Sequence, residues 1–437
     1  MPVKTIKDHY DARFLEGRIP ARVAVINLGC VRNTVDSQTM MGVLERKGHM
    51  LAPVQGADTV VVNTCAFVED AKKESIDTIL ELVDLKKKGK IGKIIVAGCL
   101  SQRYGKALVK ELKEVDAFVG VQALSRDKAQ ALAYLTPPHY AYVKICESCY
   151  NVCSFCVIPA LKGKFVSRAM ETVVDDVRRL EARGVKEINV IGQDVTAYGM
   201  DIYRRKALPE LLRKISATAP LVPWIRLLYT HPKNMTDELL DVMADMPQFC
   251  RYLDMPLQHV SDRILKLMNR SMTYAATVAL VKKIRRKVPG IFLRTTYIVG
   301  FPGETEHDFE TLLRFVEEHP FERVGVFMYS REEGTPAYGF KPQVPRRIAL
   351  ERYETLMQVQ QGVAEGFQER FIGQTLKVLI EERVKDKMKL YLGRSQFDAP
   401  DVDGSVYVSV VKSLRIGEFA DVKISGFSAY DLTGVAV

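Results

Sequence analysis

Residues 22–28 (RVAVINL), 59–63 (TVVVN) and 94–97 (IIVA) are short apolar runs rich in β-branched side chains, each followed by a stretch with helical periodicity such as 66–86. Strand and helix in alternation predict a parallel sheet. Right-handed crossovers then bring the ends of successive strands to one edge, where open α/β folds bind their ligands. Cys30, Cys65 and Cys99 each fall within two residues of the end of one of these runs.

A helix is expected near 125–134, and the Pro137-Pro138 pair after it predicts a domain boundary. Six further strand candidates follow at 141–145, 187–192, 224–229, 252–257, 292–299 and 323–329, mostly separated by helical segments. That rhythm reads as a β/α barrel, closed or partial. The helical stretch 346–371 ends near Gly373, after which LKVLIE, SVYVSVV and ADVKISGF predict a small all-β barrel. The expected domains are 20–137, 138–371 and 372–437, consistent with 437 residues being too many for one ordinary core.

No apolar stretch approaches the roughly 20 residues needed to cross a bilayer, and MPVKTIKDHYDARFLEG at the start lacks the apolar run of a secretory signal. The expectation is a soluble, cytoplasmic protein with no membrane partner. In that compartment thiols stay reduced, so eight cysteines point to metal binding or catalysis and not to disulfides. The net charge of +10 is spread along the chain, and a solvated basic surface explains it as well as nucleic acid does. Residues 374–437 hold nine Lys plus Arg against nine Asp plus Glu, a balance unusual for a module devoted to nucleic acid.

Cys149, Cys153 and Cys156 form a C-x3-C-x2-C run after the first barrel strand, with Phe155 between the last two. Three thiolates at that spacing can wrap one corner of a cubane cluster and leave one iron open to a cofactor. The competing reading adds Cys146 as a fourth ligand for a structural zinc. Against it, zinc modules separate their two ligand pairs by about a dozen residues or more, and three are too few for a hairpin. A core thiol is the expectation for Cys146 and for Cys250. Cys30, Cys65 and Cys99 carry no motif by spacing, and each alone reads as a buried core residue. Together, at the ends of three parallel strands with Gly29 and Gly98 beside two of them, they read as the ligands of a second cluster.

These residues sit within longer matching stretches. NLGCVRNTVDSQ at 27–38, VNTCAFVEDAKKESIDTIL at 62–80, AGCLSQRY at 97–104, CYNVCSFCVIP at 149–159, IGQDVTAYG at 191–199, MPLQHVSDRIL at 255–265 and IVGFPGET at 298–305 resemble the methylthiotransferases, and within them the RimO branch. The resemblance implies an α/β chain made of a flavodoxin-like N-terminal domain, a radical S-adenosylmethionine partial (β/α) barrel and a C-terminal TRAM barrel. It implies two 4Fe-4S clusters, S-adenosylmethionine and a reducing electron donor. One S-adenosylmethionine would methylate sulfur at the N-terminal cluster. A second, bound through its amino and carboxylate groups to the open iron of the other cluster, would be cleaved to a 5'-deoxyadenosyl radical that takes hydrogen from an unactivated carbon. The target implied is the β-carbon of an aspartate in protein twelve of the small ribosomal subunit, met through the TRAM domain. The alternative in the related MiaB branch is an adenine of transfer RNA. Val68 and Val31-Arg32-Asn33 stand where that branch carries an Arg and a Gln-Met-Asn stretch. A non-catalytic iron-sulfur module that senses redox state or binds RNA is the reading from another class.

Two positions depart from the family pattern: Glu147-Ser148 replaces Glu-Gly before the radical motif, and Lys162-Gly163 replaces Arg-Gly after it. Serine lacks glycine's conformational freedom, and lysine lacks arginine's bidentate fork. Gln193 and Asp194 follow the second barrel strand, and Gln258 with His259 follow the fourth, where β/α barrels build active sites. With Phe155, placed to pack on adenine, and Arg168, placed to bind a carboxylate, they are the candidate cofactor contacts. Strand-end polar groups and a solvated arginine are the plainer alternatives. His231 reads as a loop residue, GFPGET at 300–305 as a tight turn opening a helix, and KKIRRK at 282–287 as a solvated face.

Overall fold

The computed structural model describes residues 21–121, 134–385, 387 and 389–437, and these form two compact units, one running to Thr136 and including Val157–Phe165, the other Pro137–Cys156 with Val166–Val437. Most of the helix expected near 125–134 lies outside the described residues.

The first unit is a five-stranded parallel sheet of β1 (Arg22–Asn27), β2 (Met50–Leu51), β3 (Thr59–Thr64), β4 (Lys93–Gly98) and β5 (Ala117–Gly120), in spatial order β2-β1-β3-β4-β5. This is the flavodoxin-like order, whose direction reverses between β1 and β3 and opens a crevice at their carboxyl ends. Helices α1 (Val31–Arg46), α2 (Glu69–Lys87) and α3 (Cys99–Glu111) make the crossovers. All six residues of β3 are buried, as expected for a parallel strand covered on both faces. A short helix, α4 (Ile158–Lys162), joins the same core through Val157 and Leu161.

The second unit holds β6 (Tyr140–Lys144), the short pair β7 (Cys146–Glu147) and β8 (Val166–Ser167), then β9 (Glu187–Ile191), β10 (Trp224–Leu227), β11 (Phe249–Asp254), β12 (Phe292–Val299) and β13 (Arg323–Met328). Its main sheet is parallel and open, ordered β13-β12-β11-β10-β9-β6, so the barrel is partial. The intervening helices are α5 (Met170–Ala182), α6 (Leu208–Thr218), α7 (Asp237–Asp245), α8 (Asp262–Leu267), α9 (Tyr274–Lys287), α10 (Glu306–Glu318) and α11 (Arg346–Glu369). The fourth barrel strand starts and stops three residues earlier than the 252–257 read from the sequence. Pro256 has no N–H to give the ladder, and buried Phe249 and Cys250 extend the strand on its other side. GFPGET does open a helix: Thr305 caps α10 in a capping box with Asp308.

Strands β14 (Thr375–Arg383), β15 (Leu390–Ser395), β16 (Val406–Ser409), β17 (Phe419–Phe427) and β18 (Leu432–Ala436) close into the small barrel, with Val378, Ile380, Val406, Val408, Val422 and Ile424 inside. This barrel packs within the second unit, on the amino-terminal halves of the parallel strands. Phe397 stacks on Phe292 at 4.3 Å between ring centroids, and Phe419 meets Trp224 edge-on at 4.7 Å. Charged groups cross the same contact. Arg394 donates to Glu187 at 2.6 Å, Glu187 also accepts from Arg226 at 2.7 Å, Arg323 pairs with Asp398 at 2.6 Å, and Tyr252 donates to Asp403 at 2.6 Å.

Candidate active site

Cys30, Cys65 and Cys99 occupy the carboxyl ends of β1, β3 and β4, beside the point where the strand order reverses. Cys30 is the N-cap of α1 and Cys99 the first residue of α3, so two helix amino termini point positive partial charge at the crevice. Gly98 turns at φ 99°, and a Cβ there would meet Asn63 Oδ1 and the Thr64 carbonyl at 2.5 Å. A Cβ on Gly29 would lie 2.7 Å from Cys65 Cβ, so the β1 turn reaches the second cysteine only because residue 29 has no side chain.

A buried polar lattice braces these turns. Asn33 Nδ2 donates to the carbonyls of Leu28 and Thr64, Asn63 Nδ2 donates to Asn33 O and Ser37 Oγ, and Ser75 Oγ bonds both backbone groups of Cys65. Burial pushes the Cys99 thiol up to about 12 and raises that of Cys65. Burial acts on Cys30 too, but the Arg32 guanidinium and nearby donors outweigh it and hold that thiol low. Cys30 adds to the cost of ionising Cys65, and both add to that of ionising Cys99. Such a set fits a metal cluster, which takes thiolates and repays their ionisation.

The second cysteine set lies on the loop between β7 and α4. Asn151 donates to Cys149 Sγ from both its backbone N and Nδ2, each at 3.4 Å. Arg270 Nη1 donates to Cys153 Sγ at 3.7 Å. The turn from Leu267 to Arg270 clamps the loop: Ser154 N donates to Met268 O, Ser154 Oγ to Leu267 O and Asn269 Nδ2 to Val152 O. N–H donors aimed at thiolate sulfur are what an electron-rich cluster needs around it. Among the described residues no three His, Cys, Asp or Glu side chains converge tightly enough to hold a single ion. A cubane asks for less convergence, because each thiolate binds a different iron. Cys146 is buried as a core thiol, donating to the Asp194 carbonyl at 3.6 Å, and Cys250 is likewise buried.

The candidate cofactor contacts divide by what already holds them. Asp194 is buried and accepts from Asn151, Asn234 and Thr196, so it orients Asn151 on Cys149. Gln193 donates to Glu147 Oε1 at 3.0 Å. Arg168 is committed to Asp176 at 2.6 Å and to the Lys144 carbonyl at 3.0 Å, which leaves a carboxylate contact to compete with an existing ion pair. Phe155 packs edge-on against Phe301 beside the loop. Gln258 holds φ 72° while its backbone continues the sheet beside Tyr297, a strained strand end facing the carboxyl edge. His259 is buried and neutral, burial lowering it to about 3, with Nδ1 accepting from Ser261 N. His231 caps its own loop by accepting from Lys233 N, as expected of a loop residue.

Residues 22–120 match the uncharacterized protein family UPF0004, residues 143–316 the radical SAM superfamily and residues 372–437 the TRAM domain. The ribosomal protein uS12 methylthiotransferase RimO of Parabacteroides distasonis is 46% identical over 94% of this chain and 98% of its own length. That of Caldanaerobacter subterraneus is 44% identical over 94% of this chain and 99% of its own. The chain belongs to the RimO family of methylthiotransferases. The radical S-adenosylmethionine methyltransferase TsrM of Kitasatospora setae, solved with cobalamin and a 4Fe-4S cluster, shares the fold alone, with a TM-score of 0.54 at 16% identity over 73% of this chain and 74% of that one.

Against the RimO pattern the two departures now have local explanations. Ser148 adopts φ 65°, the left-handed conformation the family's glycine would supply, and is fully buried, so the backbone path is kept and the serine carries the strain. Ser148→Gly is expected to leave stability within about 1 kcal/mol of the parent, whereas Ser148→Val, whose branched Cβ resists that conformation, should cost about 2 kcal/mol. Thermal denaturation of the two variants side by side checks this, and equal melting temperatures would contradict it. Lys162 keeps a carboxylate contact without a fork: its Nζ lies 3.2 Å from Asp36 Oδ2.

Asn151, Asn269, Arg270 and Asn234 escaped sequence reasoning. Only the position of Asn151 inside the cysteine run carried a signal. The others act from loops remote in sequence.

Proposed function

We infer that this protein is a radical S-adenosylmethionine methylthiotransferase that adds a methylthio group to the β-carbon of an aspartate in ribosomal protein uS12. The reading is carried by identity above 40% over 94% of the chain to RimO enzymes of that name, with all six cysteines at the carboxyl edges of two parallel sheets. Such an enzyme uses two 4Fe-4S clusters and S-adenosylmethionine, which together supply a low-potential electron, a hydrogen-abstracting radical and a site for the transferred sulfur.

The protein's own part is placement. Cys149, Cys153 and Cys156 would hold the radical cluster, and Asn151 and Arg270 would stabilise its thiolates. Asp194 and Asn234 would keep Asn151 on target. Phe155 and Gln258 would meet S-adenosylmethionine. Cys30, Cys65 and Cys99 would hold the sulfur-carrying cluster. The substrate would be met through the outward face of the small barrel, because its 398–403 loop is spent on the parallel strands. An external reductant must supply the electron, and action on a ribosomal protein implies the cytoplasm. Among the described residues no helix is long and apolar enough to cross a membrane.

Offering the anaerobically reconstituted enzyme both uS12 and transfer RNA, with S-adenosylmethionine and dithionite, tests the reading. The mass gain is expected on uS12; a gain on the RNA alone would transfer the activity to the other branch. No product on either, with clusters intact, would favour a non-catalytic module.

A further inference from the structure

Along β12 the residues alternate in burial: Leu293, Thr295, Tyr297 and Val299 are fully buried, whereas Thr296 and Ile298 between them keep partial exposure. A strand of a parallel sheet is expected to be covered on both faces, and β6, β9 and β10, toward the other end of this sheet, are covered almost throughout. The partial barrel is therefore open at its β12–β13 end. The register sets Gly325 of β13 beside Thr296 and Phe327 beside Ile298, on the same uncovered face.

Packing accounts for neither of these two residues. Phe327 is 56% exposed, although it lies within a strand of the central sheet. Gly325 is mid-strand with no positive φ, and a Cβ there would meet nothing nearer than 3.7 Å, so neither the backbone nor the neighbours require glycine. A glycine of this kind marks a place where a ligand or another chain approaches closely, and the bared ring beside it offers rigid apolar contact area. The face is continuous with the candidate active site. Ile298 packs on the small core of Ile264, Met268, Phe301 and Ala337, on which Phe155, between Cys153 and Cys156, also packs.

We propose that Gly325 and Phe327 are substrate contacts: the segment of uS12 that carries the target aspartate lies across β12 and β13, its backbone close over Gly325 and an apolar side chain against Phe327. This rests on the reading that the enzyme acts on a protein. Hydrogen abstraction needs the reacting atoms in contact, so the segment must enter the barrel, and the uncovered face runs from solvent toward Phe155. The small barrel would hold the body of the substrate, and β13 the segment that reacts. A nucleotide base could stack on Phe327, but a notch one side chain wide suits a peptide backbone.

The test reads binding without turnover. The reconstituted, unreduced full-length enzyme with S-adenosylmethionine is titrated with fluorescently labelled uS12, and amide hydrogen exchange over 323–330 is followed with and without it. Binding is expected to slow that exchange. Phe327→Ala should weaken binding about tenfold, and Phe327→Tyr should keep the parental affinity. Gly325→Ala should also weaken it about tenfold, with a melting temperature no lower than the parental one, because the sheet has room for the methyl group and the substrate does not. A structural role alone would move the melting temperature and leave the affinity. Parental affinity in Phe327→Ala and Gly325→Ala, with exchange over 323–330 unchanged by uS12, overturns the contact and leaves the protein substrate standing. If the parental enzyme binds transfer RNA and not uS12, the protein reading falls and the proposal with it.

Discussion

Cys153→Ala is expected to lower the iron bound after anaerobic reconstitution from about eight to about four per chain and to bring methylthiolation below detection. The cysteine is buried at the centre of the loop, between the Arg270 guanidinium and the Leu267–Arg270 clamp, so no other thiol can swing into its place. Cys146, though near in sequence, is turned into the core and bonded to the Asp194 carbonyl. The N-terminal set lies on other strands, braced by Asn33, Asn63 and Ser75, and is expected to keep its own iron. Iron and sulfide counting with a product assay reads both halves of the expectation. Parental iron in Cys153→Ala would mean that this run does not hold a cluster, and loss of all iron would mean that the two sets are not independent.

Arg394→Met is expected to destabilise the second unit by about 3–5 kcal/mol. Arg394 and Glu187 are both buried, and Arg394 divides its donors among Glu187, Glu381 and the Asp398 carbonyl. Burial alone would raise Glu187, but Arg394 and Arg226 outweigh it and hold the carboxyl ionised, below the usual range. Removing Arg394 strands most of that charge in a dry contact. The sole tryptophan, Trp224, touches Phe419 across the same contact and reports the loss by fluorescence during urea denaturation. Pairing Arg394→Met with Glu187→Gln should cost less than the sum of the single changes, since the neutral amide no longer needs the cation. A shift worth under about 1 kcal/mol in the single variant would show that the pair is solvated and the docking apolar.

Much of the candidate site was legible because its signals are local. The C-x3-C-x2-C spacing of residues 149–156 is a property of one loop. Cys30, Cys65 and Cys99 could be linked because a parallel sheet sends every strand's carboxyl end to one edge. The β/α barrel, closed or partial, was read from the strand–helix rhythm, and the small all-β barrel from the change of hydrophobic period near Gly373. The fourth barrel strand was misplaced by three residues because a period of two says which face is apolar and not where the ladder begins.

What periodicity cannot record is the partner of a polar side chain. Asp194 and Arg168 were placed correctly at strand and loop ends, but whether such a group faces a ligand depends on residues far away in sequence: Asn234 for one, Asp176 on the next helix for the other. Lys162 stands six residues beyond Cys156 in sequence, and only the packing of Leu161 and the pairing with buried Asp36 place it in the first unit. By itself the sequence determined the family, the succession of most strands and which cysteines follow them. The tertiary structure decided which charges are paired, because a buried charge takes the counter-charge that folding brings beside it, and that choice leaves no mark on local spacing.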